Sequence, residues 1–176
     1  PLATSVAAAR DLFSRRTAPD QLFTCSALRF ARELQLDDAA RKAIGPLLRV
    51  AGSSPKRWSR YAVHAIEPAL AMLGEQGAIV SHSAEASAGR TRLEVEWESG
   101  VAAELTTLGD VEAPIEIRAI GERGERRLVF EDAFTAFKAA LERFVAIVRG
   151  EAAPIPDDEV LRVVELIELG MAAGAP

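Results

Sequence analysis

A chain of 176 residues is long enough for one domain with a buried core, and with 49% hydrophobic and 27% charged residues its composition is that of a globular protein. The formal net charge of −5 argues against nucleic acid as a partner, because phosphate binding needs a concentrated basic surface. One cysteine, Cys25, rules out an internal disulfide and favours a reducing, cytoplasmic setting, and no apolar stretch is long enough to span a bilayer.

The first half of the chain is predicted to be mainly helical. Thr4 or Ser5 can cap a first helix with apolar residues at helical spacing. A helix closed by Gly74 is expected to kink at Pro68, which lacks an N–H for the carbonyl of His64. The predicted order is helix (about 5–16), short buried strand (22–26), helical pieces (27–34 and 37–44), strand (46–50), loop (52–55) and helix (59–73).

The second half changes to a twofold apolar period. Strands are predicted at 79–84, 93–97, 101–105, 115–117 and 128–130. Tight turns at Ser99-Gly100 and between Gly121 and Gly124 make the sheet largely antiparallel. Two amphipathic helices follow, the first with a stripe of Phe134, Phe137, Leu141, Phe144, Val145 and Val148, the second capped by Asp157 or Asp158 with Val160, Val163, Val164 and Ile167 inward.

This order of elements predicts an α+β fold: an open, mostly antiparallel sheet with helices packed on one face. The other face is left for solvent, a ligand or a second copy of the chain. A dinucleotide would need G-x-G-x-x-G between a strand and a helix, and the sequence contains no such run. Gly121-Glu122-Arg123-Gly124, the nearest approach, is a predicted hairpin turn.

Four segments together resemble the oxidoreductase family named after glucose–fructose oxidoreductase, inositol dehydrogenase and a rhizopine-catabolism protein (Gfo/Idh/MocA). Pro1-Leu2-Ala3 is similar to the end of the family's Glu-Lys-Pro signature, with Glu and Lys falling just before the first residue. Residues 26–30 resemble the segment that leaves the last strand of the nucleotide-binding domain. Residues 61–74 resemble the histidine motif, and residues 130–170 resemble the closing helix pair.

The resemblance implies a domain division and a cofactor. Residues 1–26 would be a helix-strand remnant of an N-terminal Rossmann domain that binds NAD or NADP, and residues 27–176 the C-terminal substrate-binding and dimerisation domain. No cofactor is expected to bind this segment alone. The initial proline favours a segment of a longer gene product, although processing would give the same start. Expected partners are a small hydroxyl or carbonyl compound such as a sugar or polyol, and a second copy through the sheet face.

His64 is the main catalytic candidate, because a histidine can exchange a proton near neutral pH when hydride leaves a carbon that bears a hydroxyl. Tyr61 and Glu67 stand three residues to either side, on the same predicted helix face. The three could hydrogen-bond a polyol or fix one imidazole tautomer. The alternative is a structural histidine at the boundary between helix and sheet. On the family pattern, a lysine before Pro1 would be the principal proton-transfer residue, assisted by His64.

Three arginine and histidine positions leave alternatives open. Many family members have an Asp four residues before the histidine, but this chain has Arg60, which would lower the pKa of His64 if close. Arg60 could bind an anionic substrate or be exposed, and the departure could mean altered or lost catalysis. Arg29, with Pro1, would lie near the nicotinamide and substrate, or Arg29 is a surface residue. His82 is interpreted as a surface residue.

A metal site is not expected, because Glu94, Glu96 and Glu98 form an acidic stripe without other converging ligands, and a solvated face is the simpler interpretation. A second functional hypothesis is a non-catalytic module that dimerises or binds a partner through the open sheet face. In that hypothesis Leu93, Val95 and Trp97 would supply an apolar patch.

Overall fold

The computed structural model describes residues 1–174, which fold around one mixed sheet. The helices are α1 (Val6–Ser14), α2 (Asp38–Ile44), α3 (Trp58–Tyr61), α4 (Val63–Leu73), α5 (Ala133–Val148) and α6 (Asp157–Met171). Three single 3-10 turns lie at Pro19–Gln21, Ala27–Phe30 and Arg32–Leu34. The strands are β1 (Leu47–Ser54), β2 (Ile79–Ser87), β3 (Arg90–Trp97), β4 (Ala102–Thr107), β5 (Glu116–Gly121) and β6 (Gly124–Val129).

The sheet is open and its strand order is β2-β3-β4-β1-β5-β6, which confirms the predicted α+β class. Four of the five pairings are antiparallel, as expected, and β1 runs parallel to β4. The loop predicted at 52–55 is wrong, because β1 continues to Ser54. Gly52, Ser53 and Ser54 pair with β4, and Gly52 and Ser53 also pair with β5, so ladder hydrogen bonds outweigh the turn preference of Gly and Ser.

One face of the sheet is covered by helices and carries the core. Leu93, Val95 and Trp97 alternate inward and are buried there, which confirms the predicted strand period. The module hypothesis predicted that these residues form an apolar patch on the open face, and that prediction is wrong. At Gly52 a Cβ atom would stand 3.1 Å from the Ile117 side chain and 3.2 Å from that of Ala65, so the glycine lets α4 lie close to β1.

The helix that carries the histidine motif is interrupted at Ala62, where α3 ends and α4 begins. The helix continues through Pro68, so the break lies at the beginning of α4 and not at the proline. Ser5 caps α1 by accepting from the backbone N–H of Ala8 at 3.3 Å, as predicted. The cap predicted for the last helix is wrong, because Pro156 takes the cap position and the acidic residues fill the first turn instead.

Residues 22–26 are extended but do not form the predicted strand. A strand needs a neighbour that satisfies its backbone N–H and carbonyl groups, and no strand of residues 1–174 lies beside this stretch. Cys25, within this stretch, is half-buried, and burial raises the pKa of its thiol to about 12, with Glu67 contributing.

The amino-terminal helix α1 packs against α6 in the opposite direction. The backbone N–H of Val6 donates to a carboxylate oxygen of Glu168 at 2.9 Å, at the far end of α6. Arg16, just after α1, forms an ion pair with Asp157 in the first turn of α6. Residues 1–26 are thus fixed to the closing helix at both ends of α1.

Candidate functional site

The candidate site lies where the beginning of α4 meets the segment around Ser26. Ser26 is buried and caps the 3-10 turn Ala27–Phe30, its Oγ accepting from the backbone N–H of Leu28 at 3.2 Å. The same Oγ lies 2.8 Å from Nδ1 of His64. Glu67, one turn further along α4, accepts the backbone N–H of Ser26 through Oε1 at 2.9 Å. These contacts join two parts of the chain about forty residues apart in sequence.

His64 and Tyr61 are in contact through their rings. The centroids are 5.4 Å apart and the planes meet at 71°, an edge-on arrangement of a kind that is favourable between aromatic rings. Burial lowers the pKa of His64 below its usual 6.5. The imidazole is therefore neutral at neutral pH, in the form that can both donate and accept a hydrogen bond.

Glu67 is only 5% exposed. The sequence suggested a carboxylate that hydrogen-bonds a polyol or the imidazole of His64, but the carboxylate contacts the backbone of Ser26 instead. Its Oε1 is used by the backbone of Ser26, while Oε2 has no hydrogen-bond partner among residues 1–174. Burial raises its pKa from 4.5 to about 7, an effect that the Ser26 N–H and Arg29 partly offset. Glu67 thus positions the Ser26 segment and is a carboxyl that can hold a proton near neutral pH.

Arg29 extends from the same turn and forms an ion pair with Glu159, in the first turn of α6. Sequence reasoning did not identify Glu159, although an acid in the first turn of a helix is a recognisable signal. Pro1 lines a narrow cleft together with Thr24, Arg29, Glu67 and Glu159. The structure therefore brings Pro1, Arg29 and Glu67 together in one cleft, and His64 does not line it.

A cavity of about 330 Å³ opens between α4 and the first turn of α6. Its polar lining consists of Arg29, Glu67, Glu75, Asp158, Glu159 and Arg162. Leu70, Ala71, Pro156 and Val163 supply the apolar part of the wall. A volume of this size, with both carboxylates and guanidinium groups, suits a small polar molecule.

Arg60 does not join this group. It is exposed at the end of α3, and its side chain makes no hydrogen bond or ion pair with any residue that the structure describes. The lowered pKa of His64 comes from burial, and Arg60 does not contribute to it. His82 is exposed on the edge strand β2, as predicted.

The acidic stripe on β3 is paired more than the sequence suggested. Arg92 donates to Glu94 at 2.5 Å and to Glu104 at 3.0 Å, and Arg49 donates to Glu104 at 3.3 Å. Within residues 1–174 no group of three or more His, Cys, Asp or Glu converges as metal ligands would. No helix in the same range is long and apolar enough to cross a membrane.

Comparisons with solved structures identify the fold. A putative myo-inositol dehydrogenase from Sinorhizobium meliloti matches with a TM-score of 0.72 at 15% identity, over 98% of this chain and 69% of its own. A mutant 3-ketoreductase from Actinomadura kijaniata, in complex with TDP-benzene and NADP, matches with 0.72 at 16% over 98% and 68%. GenD2 from gentamicin A biosynthesis, in complex with NAD, gives 0.68 at 16% over 98% and 67%.

The chain has the fold of the Gfo/Idh/MocA-type oxidoreductases. It spans about two thirds of each of these neighbours, a share that is consistent with a C-terminal domain. No family model matches the sequence. A search of curated proteins found no match either.

Proposed function

We propose that this chain is the C-terminal substrate-binding and oligomerisation domain of an NAD(P)-dependent oxidoreductase, acting on a hydroxyl or carbonyl group of a sugar or polyol. The observation that carries the proposal is His64, a neutral histidine held by Ser26 at the point where α4 meets the segment leading to Arg29. In this proposal residues 27–176 form the substrate domain, residues 1–26 belong to a nucleotide-binding domain, and the cell compartment is the cytoplasm. That domain supplies NAD or NADP, and this segment alone binds neither.

The chemistry of the site supports such a substrate. Oxidation of a carbinol carbon removes a hydride to the cofactor and a proton from the hydroxyl, so a group that exchanges protons must stand near that oxygen. In the direction of reduction His64 can donate a hydrogen bond or proton to the carbonyl oxygen, and the hydroxyl of Tyr61 can hydrogen-bond a second substrate oxygen. The cavity between α4 and α6 has a charged lining that suits hydroxyl groups, and neither His64 nor Tyr61 is among the residues that line it.

The test is turnover of NAD(P) by the protein that carries this sequence together with its nucleotide-binding domain, across a panel of sugars and polyols. His64→Ala is expected to lower kcat/KM by roughly 10²–10⁴-fold, the usual contribution of a general acid or base. His82→Ala is the matched control, because it removes the other histidine of the chain, on the exposed edge strand β2. Equal turnover in wild type and His64→Ala would remove His64 from the mechanism.

Self-association is proposed through the open face of the sheet. That face carries Arg–Glu pairs across neighbouring strands, including Arg118 with Glu125 and Arg127 with Glu116, each at 2.6 Å. When two copies of such a face meet about a two-fold axis, the arginines of one copy can lie against the glutamates of the other, which suits a two-fold dimer. A non-catalytic module would use this same charged face, since Leu93, Val95 and Trp97 are buried.

Light scattering distinguishes a dimer through this face from a monomer. Ala51→Arg places a long charged side chain in the middle of the open face on β1 and is expected to give a monomer. Glu122→Arg makes a larger charge change, on the exposed turn between β5 and β6, and is expected to leave the dimer intact. A wild-type chain that stays monomeric at high concentration would exclude this part of the proposal.

A further inference from the structure

The hydroxyl group of Ser26 has a hydrogen-bonding role that its surroundings define. A serine hydroxyl carries one O–H donor and two acceptor lone pairs. One lone pair of Ser26 Oγ accepts the backbone N–H of Leu28 at 3.2 Å. Ser26 is 4% exposed, so its O–H must find an acceptor inside the protein or stay unsatisfied at a cost in free energy.

Among the residues that the structure describes, the acceptor within reach of this O–H is Nδ1 of His64, 2.8 Å from Oγ. If Nδ1 carried the imidazole proton, it could donate to the second lone pair of Oγ, but the hydroxyl proton of Ser26 would then have no acceptor among these residues. If Nδ1 is unprotonated, the hydroxyl proton and the ring nitrogen satisfy each other. The balance of donors and acceptors therefore favours the neutral tautomer of His64 in which Nδ1 carries no proton.

The position of Ser26 is fixed independently of His64. Its backbone N–H donates to Glu67 Oε1 at 2.9 Å, and Glu67 lies on the same helix as His64, one turn later. The side chain of Ser26 also caps the following 3-10 turn. The hydroxyl is thus held in front of the imidazole by contacts on both sides, which limits the ways in which His64 can turn.

We propose that Ser26 is a positioning residue that holds His64 as the Nε2–H tautomer, by donating its hydroxyl proton to Nδ1. Nε2–H is then the one N–H of the neutral ring, and it is the group that can donate a hydrogen bond to the oxygen of a hydroxyl or carbonyl substrate. This role toward a substrate rests on the proposed function. The tautomer itself does not, because it follows from the contacts of Ser26 alone.

The experiment is long-range ¹H–¹⁵N NMR of the imidazole rings, at a pH above the His64 pKa where the ring is neutral. The chain contains two histidines, so the spectrum is simple, and exposed His82 serves as an internal reference for an imidazole in water. The ratio of Nε2–H to Nδ1–H is expected to be higher at His64 than at His82 by roughly threefold to tenfold, the equilibrium equivalent of one net hydrogen bond.

Variants of Ser26 separate its hydroxyl from its other contacts. Ser26→Ala keeps the backbone N–H that Glu67 accepts, and the ratio at His64 is expected to fall toward that of His82. Ser26→Thr keeps a hydroxyl and is expected to restore the high ratio. Ser83→Ala, next to His82 on the exposed strand β2, is the matched control and is expected to leave the ratio of Nε2–H to Nδ1–H at His64 unchanged.

Two outcomes would overturn the proposal. One is a wild-type His64 with a proton on Nδ1, or with the same tautomer ratio as His82. The other is an unchanged ratio in a folded Ser26→Ala variant. Because the measurement needs neither cofactor nor substrate, a failed tautomer prediction is distinguishable from a failed enzyme assignment, which shows only in turnover.

Discussion

The two closing helices, α5 and α6, are nearly equal in length, with 16 and 15 residues, and both are amphipathic. The apolar stripe of α6 is buried against α3, α4 and the sheet, where Leu166 and Ile167 are fully enclosed. The apolar stripe of α5 is exposed instead, along Phe134, Phe137, Leu141, Phe144 and Val148. An amphipathic pattern therefore predicts a helix and its apolar face, but not that another part of the chain covers that face.

The two helices also differ in their polar attachments. Trp58 donates its indole N–H to the carbonyl of Ile167 on α6 at 2.9 Å, and Arg29 reaches the first turn of the same helix. On α5, Phe23 meets Phe144 with ring centroids 5.5 Å apart, which is the aromatic contact that attaches the helix to the extended segment before Ser26. Helix α6 is an integral part of the core, whereas α5 contributes mainly Ala136 and Ile147.

The comparison is tested most strongly by one substitution made in both helices. Leu166→Ala, at a fully buried position, is expected to lower the free energy of unfolding by about 2–5 kcal/mol, because it removes apolar contacts and leaves a cavity. Leu141→Ala, where the leucine is 61% exposed, is expected to change it by less than about 0.5 kcal/mol. Urea unfolding followed by tryptophan fluorescence measures both. Equal losses would mean that the stripe of α5 is covered in solution.

The buried carboxyl beside α6 gives the next largest effect. The pKa of Glu67 is raised from 4.5 to about 7 in the fold, so it contributes stability that is fully present below pH 4.5 and is lost as the pH rises through 7. Glu67→Gln stays neutral and keeps an acceptor for Ser26. It is expected to lack this decline, which is on the order of 3 kcal/mol at most.

Unfolding free energies measured across the same pH interval provide the check. Glu142→Gln, on the exposed surface of α5, is the control and should keep the wild-type dependence on pH. If Glu67→Gln lost stability as steeply as the wild type, the carboxyl of Glu67 would be charged in the fold at neutral pH.

A smaller effect is expected where α6 presses on Trp58. A Cβ atom at Gly170 would overlap the indole ring of Trp58, which is itself buried. Gly170→Ala is therefore expected to cost about 1–3 kcal/mol through overpacking, although alanine is the better helix former. Gly124→Ala is the control, since no atom lies within 4 Å of its added Cβ. Thermal unfolding of both variants decides the point, and a stabilised Gly170→Ala would show that α6 can move outward freely.

The smallest expected difference concerns one ion pair on each helix. Glu159→Gln breaks the partly buried pair with Arg29 and is expected to cost about 1 kcal/mol. Glu142→Gln breaks the exposed pair with Lys138 on α5 and is expected to cost no more than about 0.5 kcal/mol. Chemical denaturation at low and high salt would contradict this ranking if the α5 pair proved the stronger.

Local patterns in the sequence predicted most of the elements, but not their partners. The alternation around Val95 predicted a buried strand face, and the position of Ser5 predicted a helix cap, because both depend on neighbouring residues. The parallel pairing of β1 with β4 joins residues about fifty positions apart, and no local signal encodes it. Residues 22–26 illustrate the converse, because their apolar composition suits a strand and no neighbouring strand is present within residues 1–174.

In the candidate site, too, single residues could be predicted from the sequence, whereas contacts between distant residues could not. His64 and Arg29 were predictable because their residue types suit the chemistry and because of the family resemblance. The contact between Ser26 and His64 was not, since it depends on how α4 packs against a distant turn. The one local signal for Ser26 is its position as a serine directly before a helical turn, which predicts a cap and says nothing about histidine.

The strand order leaves β2 and β6 at the two edges of the sheet. Strand β6 carries Glu125, Arg126 and Arg127 in succession, and β2 carries Ser81, His82 and Ser83, all of them exposed. An incoming strand from another molecule would have to bury these charged and polar groups when it added to either edge, which disfavours fibrillar growth. The polar edges thus disfavour strand-by-strand aggregation of the chain.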